Sequence, residues 1–180
     1  GINISCGMTA ATGAVSSVRL ENGTFHAHII GNTEPRGICG SGLLDAVACL
    51  LSSGQLDEWG QFNDGVEAVK LIPGIDLTQN DIRQVQLAKG ALAAGVELLA
   101  NQQCGSLDHV EHFFIAGAFG NYLNLQNARR IGLLSPTMLR KPYFSSISCC
   151  RISVFSRSLL RSSALSSVSC MSSGSKGFVT

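Results

Sequence analysis

The chain has 180 residues, 45% of them hydrophobic and 14% charged, with a formal net charge of +1; it is long enough to bury a core and too nearly neutral to hold nucleic acid by bulk charge. No apolar run approaches the roughly 18 residues of a membrane-crossing helix, since Glu97 breaks the best stretch, Gly90 to Ala100. The opening Gly1-Ile2-Asn3 carries no basic or apolar leader, so no signal peptide is expected, and Cys6, Cys39, Cys49 and Cys104 form no C-x-x-C pair, which predicts reduced thiols in a cytoplasmic protein.

Taken in chain order, residues 1–134 predict an α/β pattern. Ala14 to Leu20 and Phe25 to Ile30 flank Glu21-Asn22-Gly23-Thr24, and Asn-Gly supplies the positive φ angles of a tight hairpin. Gly37-Ile38-Cys39-Gly40-Ser41-Gly42 then runs into a helix whose apolar positions are Leu43, Val47, Leu50 and Leu51, with Gly54 as its C-terminal cap. Val66 to Ile72 predicts a strand that Pro73-Gly74 stops. Thr78 followed three residues later by Asp81 predicts a capping box. The second helix starts there, with Ile82, Val85, Leu92, Val96 and Leu99 as its apolar stripe and Cys104-Gly105 as its end. Gly90, Ala91, Ala94 and Gly95 keep its middle thin, as close packing on a neighbour would require. His112 to Ala116 predicts a buried strand, then the turn Gly117-Ala118-Phe119-Gly120, then a short helix near Leu125 to Ile131. The layered alternation of helices and strands is that of an α/β domain.

Charge divides the chain unevenly. Residues 1–111 hold all 12 acidic residues and 5 of the 13 basic ones; residues 112–180 hold the other 8 basic residues and no acid. After Ser135 the break sharpens: residues 136–180 contain 14 serines, three cysteines and six Lys or Arg, without a helical or strand period. A disordered basic-serine tail, a basic arm for nucleic acid, and a translated wrong reading frame all remain open for it. Two units are expected on this ground, 1–134 folded and 135–180 a disordered or non-native tail.

Two glycine turns lead into helices, where exposed N–H groups and the helix dipole favour an anion. The first, Gly40-Ser41-Gly42 with Gly37 before it, is neither a Walker A loop nor G-x-G-x-x-G; taken alone, it reads first as a tight helix entry and second as an anion site. The second, Gly117-Ala118-Phe119-Gly120-Asn121, follows an apolar strand, and ligands of α/β sheets gather at the carboxyl ends of strands. Missing side chains at Gly117 and Gly120 would let a flat ring lie on the main chain, and Asn121 adds a donor and an acceptor; a packing turn is the competing reading. His26 with His28, and His109 with His112, lack the further ligands of a metal set, and no Ser or Cys has an identifiable His–acid pair. No catalytic residue and no metal ligand is assigned.

Five segments in this order carry a resemblance: Asn3-Ile4-Ser5-Cys6-Gly7-Met8, Pro35-Arg36-Gly37-Ile38-Cys39-Gly40-Ser41-Gly42-Leu43-Leu44-Asp45, Leu77 through Gly90, Ile115-Ala116-Gly117-Ala118-Phe119-Gly120-Asn121-Tyr122, and Ala128 through Leu134. Together they resemble the C-terminal domain of the ATP-dependent reductive activators of corrinoid enzymes, ferredoxin-like iron–sulfur proteins joined to an actin-like (ribonuclease H-like, ASKHA) ATPase domain. The resemblance implies a partial ATPase lobe, a mixed sheet with packed helices, over residues 1–134. It also implies ATP with Mg²⁺ as ligand, and a [2Fe–2S] cluster in the parent protein that returns a corrinoid from Co(II) to Co(I). A corrinoid protein or corrinoid-dependent methyltransferase would be the partner, and a homodimer is compatible with it. By similarity, Gly117, Ala118, Phe119, Gly120 and Asn121 form the adenosine-side turn, and Gly40, Ser41 and Gly42 line the same cleft.

The departures are equally specific. The superfamily's Asp-x-Gly-Thr phosphate signatures and the ferredoxin cysteines do not occur in these residues, so the chain is expected to be a fragment, inactive alone. The family continues after its Ile-Gly-Leu-Leu segment into another strand, where this chain enters its serine-rich segment. A non-catalytic nucleotide-binding or interaction module, and a kinase-like ATPase with another acceptor, are the alternatives.

Overall fold

A computed structural model of the chain describes residues 3–110, 112–116, 120, 122–135, 138, 142–145 and 152–155. Strands β1 (Ala14–Glu21) and β2 (Thr24–Ile29) form the predicted hairpin around Asn22 and Gly23, with φ of 51° and 78°. Strand β3 (Gly37–Ile38) pairs parallel to β1 on its other side, so β1 is the central strand of the order β2-β1-β3. Residues 6–8 extend this layer: Ile38 N donates to Cys6 O at 2.8 Å and Met8 N to Ile38 O at 2.9 Å.

Helix α1 (Gly40–Ser52) starts directly from β3 and lies on β1. Its positions 41–50 are all buried, so it is wrapped by neighbours rather than laid along one stripe. Strands β4 (Ala68–Ile72) and β5 (Ile75–Thr78) form a second hairpin, turning at Gly74 with φ of 83°. The strand β5 is not legible as a separate element in the sequence, because its four residues merge with the helix start.

Helix α2 (Gln79–Cys104) begins at the predicted capping box on Thr78 and Asp81 and ends at Gly105 in the left-handed region. Ile82, Val85 and Val96 are buried as expected, whereas Leu99 is 45% exposed and Ala100 is the buried residue beside it. The thin middle of the helix does not serve close packing among the described residues: a Cβ at Gly90 or Gly95 would meet nothing within 4 Å. Gly105→Ala should cost about 1 kcal/mol, because its φ of +76° is strained for an L side chain although open space surrounds it. An unchanged urea midpoint would show that the helix end frays freely.

Strand β6 (His112–Ala116) and helix α3 (Leu125–Arg130) follow as predicted. The serine-rich segment contributes two four-residue strands, β7 (Pro142–Ser145) parallel to β6 and β8 (Ile152–Phe155) antiparallel to it. The boundary expected at 134/135 therefore has strands of one sheet on both sides. Two apolar cores result. One gathers Val15, Val18, Ile38, Leu50, Ile75, Leu77 and Ile82 with α1; the other gathers Val96, Ala100, Val110, Phe113, Ile115 and Leu134. Among the described residues no helix is long and apolar enough to cross a membrane.

Candidate functional site

The first glycine turn opens α1. Its N-cap, Cys39, has extended backbone and no side-chain hydrogen bond to the helix, and the first turn carries no acid. The orphan N–H groups there have no capping side chain to serve them. Gly40 is exposed at this end, while Ser41 and Gly42 are buried. The Ser41 hydroxyl donates to Ser16 O at 2.8 Å and lies 3.4 Å from the Cys39 thiol, so it is used inside the protein. At Gly42 an added Cβ would overlap the Val15 carbonyl oxygen and sit 2.9 Å from its carbon. The glycine is required by the approach of α1 to β1. Of the three residues, Gly40 alone is exposed.

The second turn leaves β6 at its carboxyl end. Gly117, Ala118, Phe119 and Asn121 lie outside the described residues. Gly120 is described and buried, and a Cβ there would come 2.9 Å from Cγ2 of Ile115, so at this position the strand's own side chain takes the space. Leu123 N donates to Gly120 O at 3.4 Å, and Asn124 caps α3 by accepting from Gln126 N at 3.0 Å and Asn127 N at 3.2 Å. The chain from Gly120 into α3 is thus tied locally, step by step.

Helix α3 is joined to α1 through a contact that sequence reasoning missed. Asn127 Nδ2 donates to Asp45 Oδ1 at 2.7 Å, across 82 residues. Asp45 is 5% exposed; burial pushes its carboxyl pKa up, only partly offset by the Asn127 amide and the backbone at Val18. Two turns further along α1, the Arg130 guanidinium donates to the Ser52 hydroxyl, which itself donates to Ala48 O at 2.7 Å. From the other side, Lys89 of α2 donates to Ile131 O at 3.2 Å. Asp45 in a run of buried aliphatic positions was the available signal, since an acid there needs a partner.

The remaining candidates do not assemble. His26 and His28 are exposed on one face of β2, and His28 Nδ1 lies 2.8 Å from the Ser16 hydroxyl. Among the described residues no group of three or more His, Cys, Asp or Glu could hold a metal ion. The Cys6 and Cys49 thiols are pushed up by burial, and further by Asp81 and Asp45 respectively, which keeps them protonated. Cys6, Cys39 and Cys49 are free, as their spacing predicts.

The mixed α/β unit, with α1 entered from the glycine turn that follows β3, has an ASKHA-like fold. The sequence model of the C-terminal domain of RACo, the ASKHA domain, matches residues 1–168, and the chain belongs to that family. It is 37% identical over 161 residues to a protein described as corrinoid activation enzyme RamQ of Eubacterium limosum, covering 74% of this chain and 27% of that protein. It is 27% identical over 156 residues to a [Co(II) methylated amine-specific corrinoid protein] reductase of Methanosarcina barkeri, covering 73% of this chain and 28% of that one. A solved structure of a reductive activator for corrinoid, iron–sulfur protein superposes with a TM-score of 0.68 at 32% identity, over 80% of this chain and 26% of the other. The chain spans about a quarter of the length of these relatives.

Proposed function

We propose that the chain forms part of the ATPase domain of a reductive activator that returns a corrinoid cofactor from Co(II) to Co(I). Nucleotide binding would be coupled to transfer of one electron from a [2Fe–2S] cluster carried elsewhere in a longer protein. The observation that carries this reading is the family match over residues 1–168, with relatives that are corrinoid activators. The partner is then a corrinoid protein or a corrinoid-dependent methyltransferase.

In this reading the adenosine side of ATP rests on Gly117, Ala118, Phe119, Gly120 and Asn121. The α1 entry at Gly40, Ser41 and Gly42 borders the same cleft. The uncapped N-terminus of α1 fits an anion through backbone N–H groups. When bound, Mg²⁺ would supply charge stabilisation at the phosphates; α1 has no acid in its first turn to hold it, and Asp45 is engaged with Asn127.

That same shortage favours a second reading, a nucleotide-binding module without turnover. Purified chain incubated with Mg-ATP is expected to bind weakly and release no phosphate. Gly117→Val is expected to remove the binding, because a branched side chain would occupy the space of the nucleotide. Phosphate release that Gly117→Val abolishes would show a complete catalytic site in this chain.

A further inference from the structure

We propose that Asp45 is a positioning residue: its bond to Asn127 fixes α3, and with it Gly120 and Leu123 before the helix, against α1. The inference rests on the reading of the two glycine turns as one nucleotide site.

Its physical basis is the cost of the arrangement. Around Asp45, the buried positions Leu43, Leu44, Ala46, Val47, Ala48 and Leu50 of α1 are apolar. A carboxylate among them gives up hydration that the Asn127 amide and the Val18 backbone restore only in part, and an aliphatic residue of similar volume would be at least as stable there. What an aliphatic residue lacks is direction. Of the six residues of α3 only Ala128 is buried, and Ile131 after it joins the first core, so apolar contact by itself holds α3 against α1 without a polar pair to fix its register. Asp45 with Asn127 and Ser52 with Arg130 lie seven positions apart on α1 and three apart on α3, along one line of contact. A slip of one turn would break both bonds and leave the buried Asp45 carboxylate with the Val18 backbone alone. The Asn124 cap and the Leu123–Gly120 bond then carry the register from α3 back to Gly120.

The test is amide hydrogen exchange on the 180-residue chain and its Asp45→Leu, Asp45→Asn and Asn127→Leu variants, with the affinity for a fluorescent ATP analogue measured in parallel. Asp45→Leu and Asn127→Leu should each speed exchange of residues 122–131 about tenfold while Ile82 to Val85 of α2 keep their protection. Asp45→Asn retains an oxygen acceptor for the Asn127 amide and should leave both exchange and affinity close to the parent values. The analogue should bind about tenfold more weakly to the two leucine variants. Unchanged exchange at 122–131, acceleration spread evenly over the chain, or an Asp45→Asn variant as loose as Asp45→Leu would each overturn the proposal. So would unchanged affinity in a variant whose α3 has loosened. If Asp45→Leu fails to fold, Asn127→Leu carries the same comparison, because Asn127 is only half-buried. A parent chain that binds no analogue, yet shows the expected exchange pattern, would refute the nucleotide reading and uphold the positioning role.

Discussion

The Gly42→Ala chain should lose about 3 kcal/mol of folding stability, the upper range for overpacking a core. The single methyl group would overlap the Val15 carbonyl oxygen, an atom of the central strand that also accepts from Cys39 N at 3.0 Å. Backbone on both sides cannot yield as a side-chain tip does, so α1 must lift from β1 along its buried length. Gly90→Ala is the matched control. That glycine sits inside α2 with nothing within 4 Å, and alanine there should raise stability by about 1 kcal/mol through helix propensity alone. Urea unfolding of the two variants should therefore move in opposite directions. Equal small shifts would mean that the separation of α1 and β1 relaxes at little cost.

Asp81→Ala is expected to cost about 3 kcal/mol, since it removes a helix cap and strands several donors at once. The carboxylate is 0% exposed and accepts from Ser5 N at 2.7 Å, Ser5 Oγ at 2.5 Å, Thr78 N at 2.9 Å and Thr78 Oγ1 at 2.8 Å. It thus pins the N-terminal segment to the start of α2. Burial by itself would raise its pKa; the bonds from Ser5 and Thr78 outweigh that and hold it below the ordinary value of 3.8. A depressed folded pKa contributes stability that is fully present above the unfolded value and is lost as pH falls through the folded one. The gap between parent and Asp81→Asn should accordingly stay constant near neutrality and narrow below about pH 3.8. A gap that widens on acidification would contradict the assignment of these bonds to the ionised form.

Legibility in the sequence followed the range of the interaction. The β1–β2 hairpin and the α2 start are written in adjacent residues, Asn22-Gly23 and Thr78 to Asp81, and both form where those residues predict. Strand β5 escaped because four residues are too few for a period, and its partner is the neighbouring strand β4 rather than anything in its own pattern. Strands β7 and β8 lie in a serine-rich composition where pairing with β6, not side-chain alternation, defines them. At the site, Gly42 carried the signature of a ligand turn, and its reason is the position of Val15 on another element. Asp45, an acid among aliphatic positions, signals that a partner is needed but not which one, because that partner is Asn127, far along the chain. Local sequence records turns and caps; it does not record which distant backbone a glycine must let past.

The division into two cores bears on synthesis. Every buried member of the first core except Ile131 lies between Val15 and Val85, whereas the second draws on residues from Val96 to Met138. A chain emerging from the ribosome from its N-terminal side therefore holds nearly all of the first core's apolar surface before β6 has been made. That core closes around α1 while α2 is still lengthening, in keeping with the tendency of chains to fold unit by unit from the N-terminus. Helix α3 arrives last among the elements that touch α1, with Ile131 in the first core and Ala128 in the second. The bond between Asp45 and Asn127 is accordingly made on a surface already built, and the carboxylate waits in partial hydration until its partner is translated.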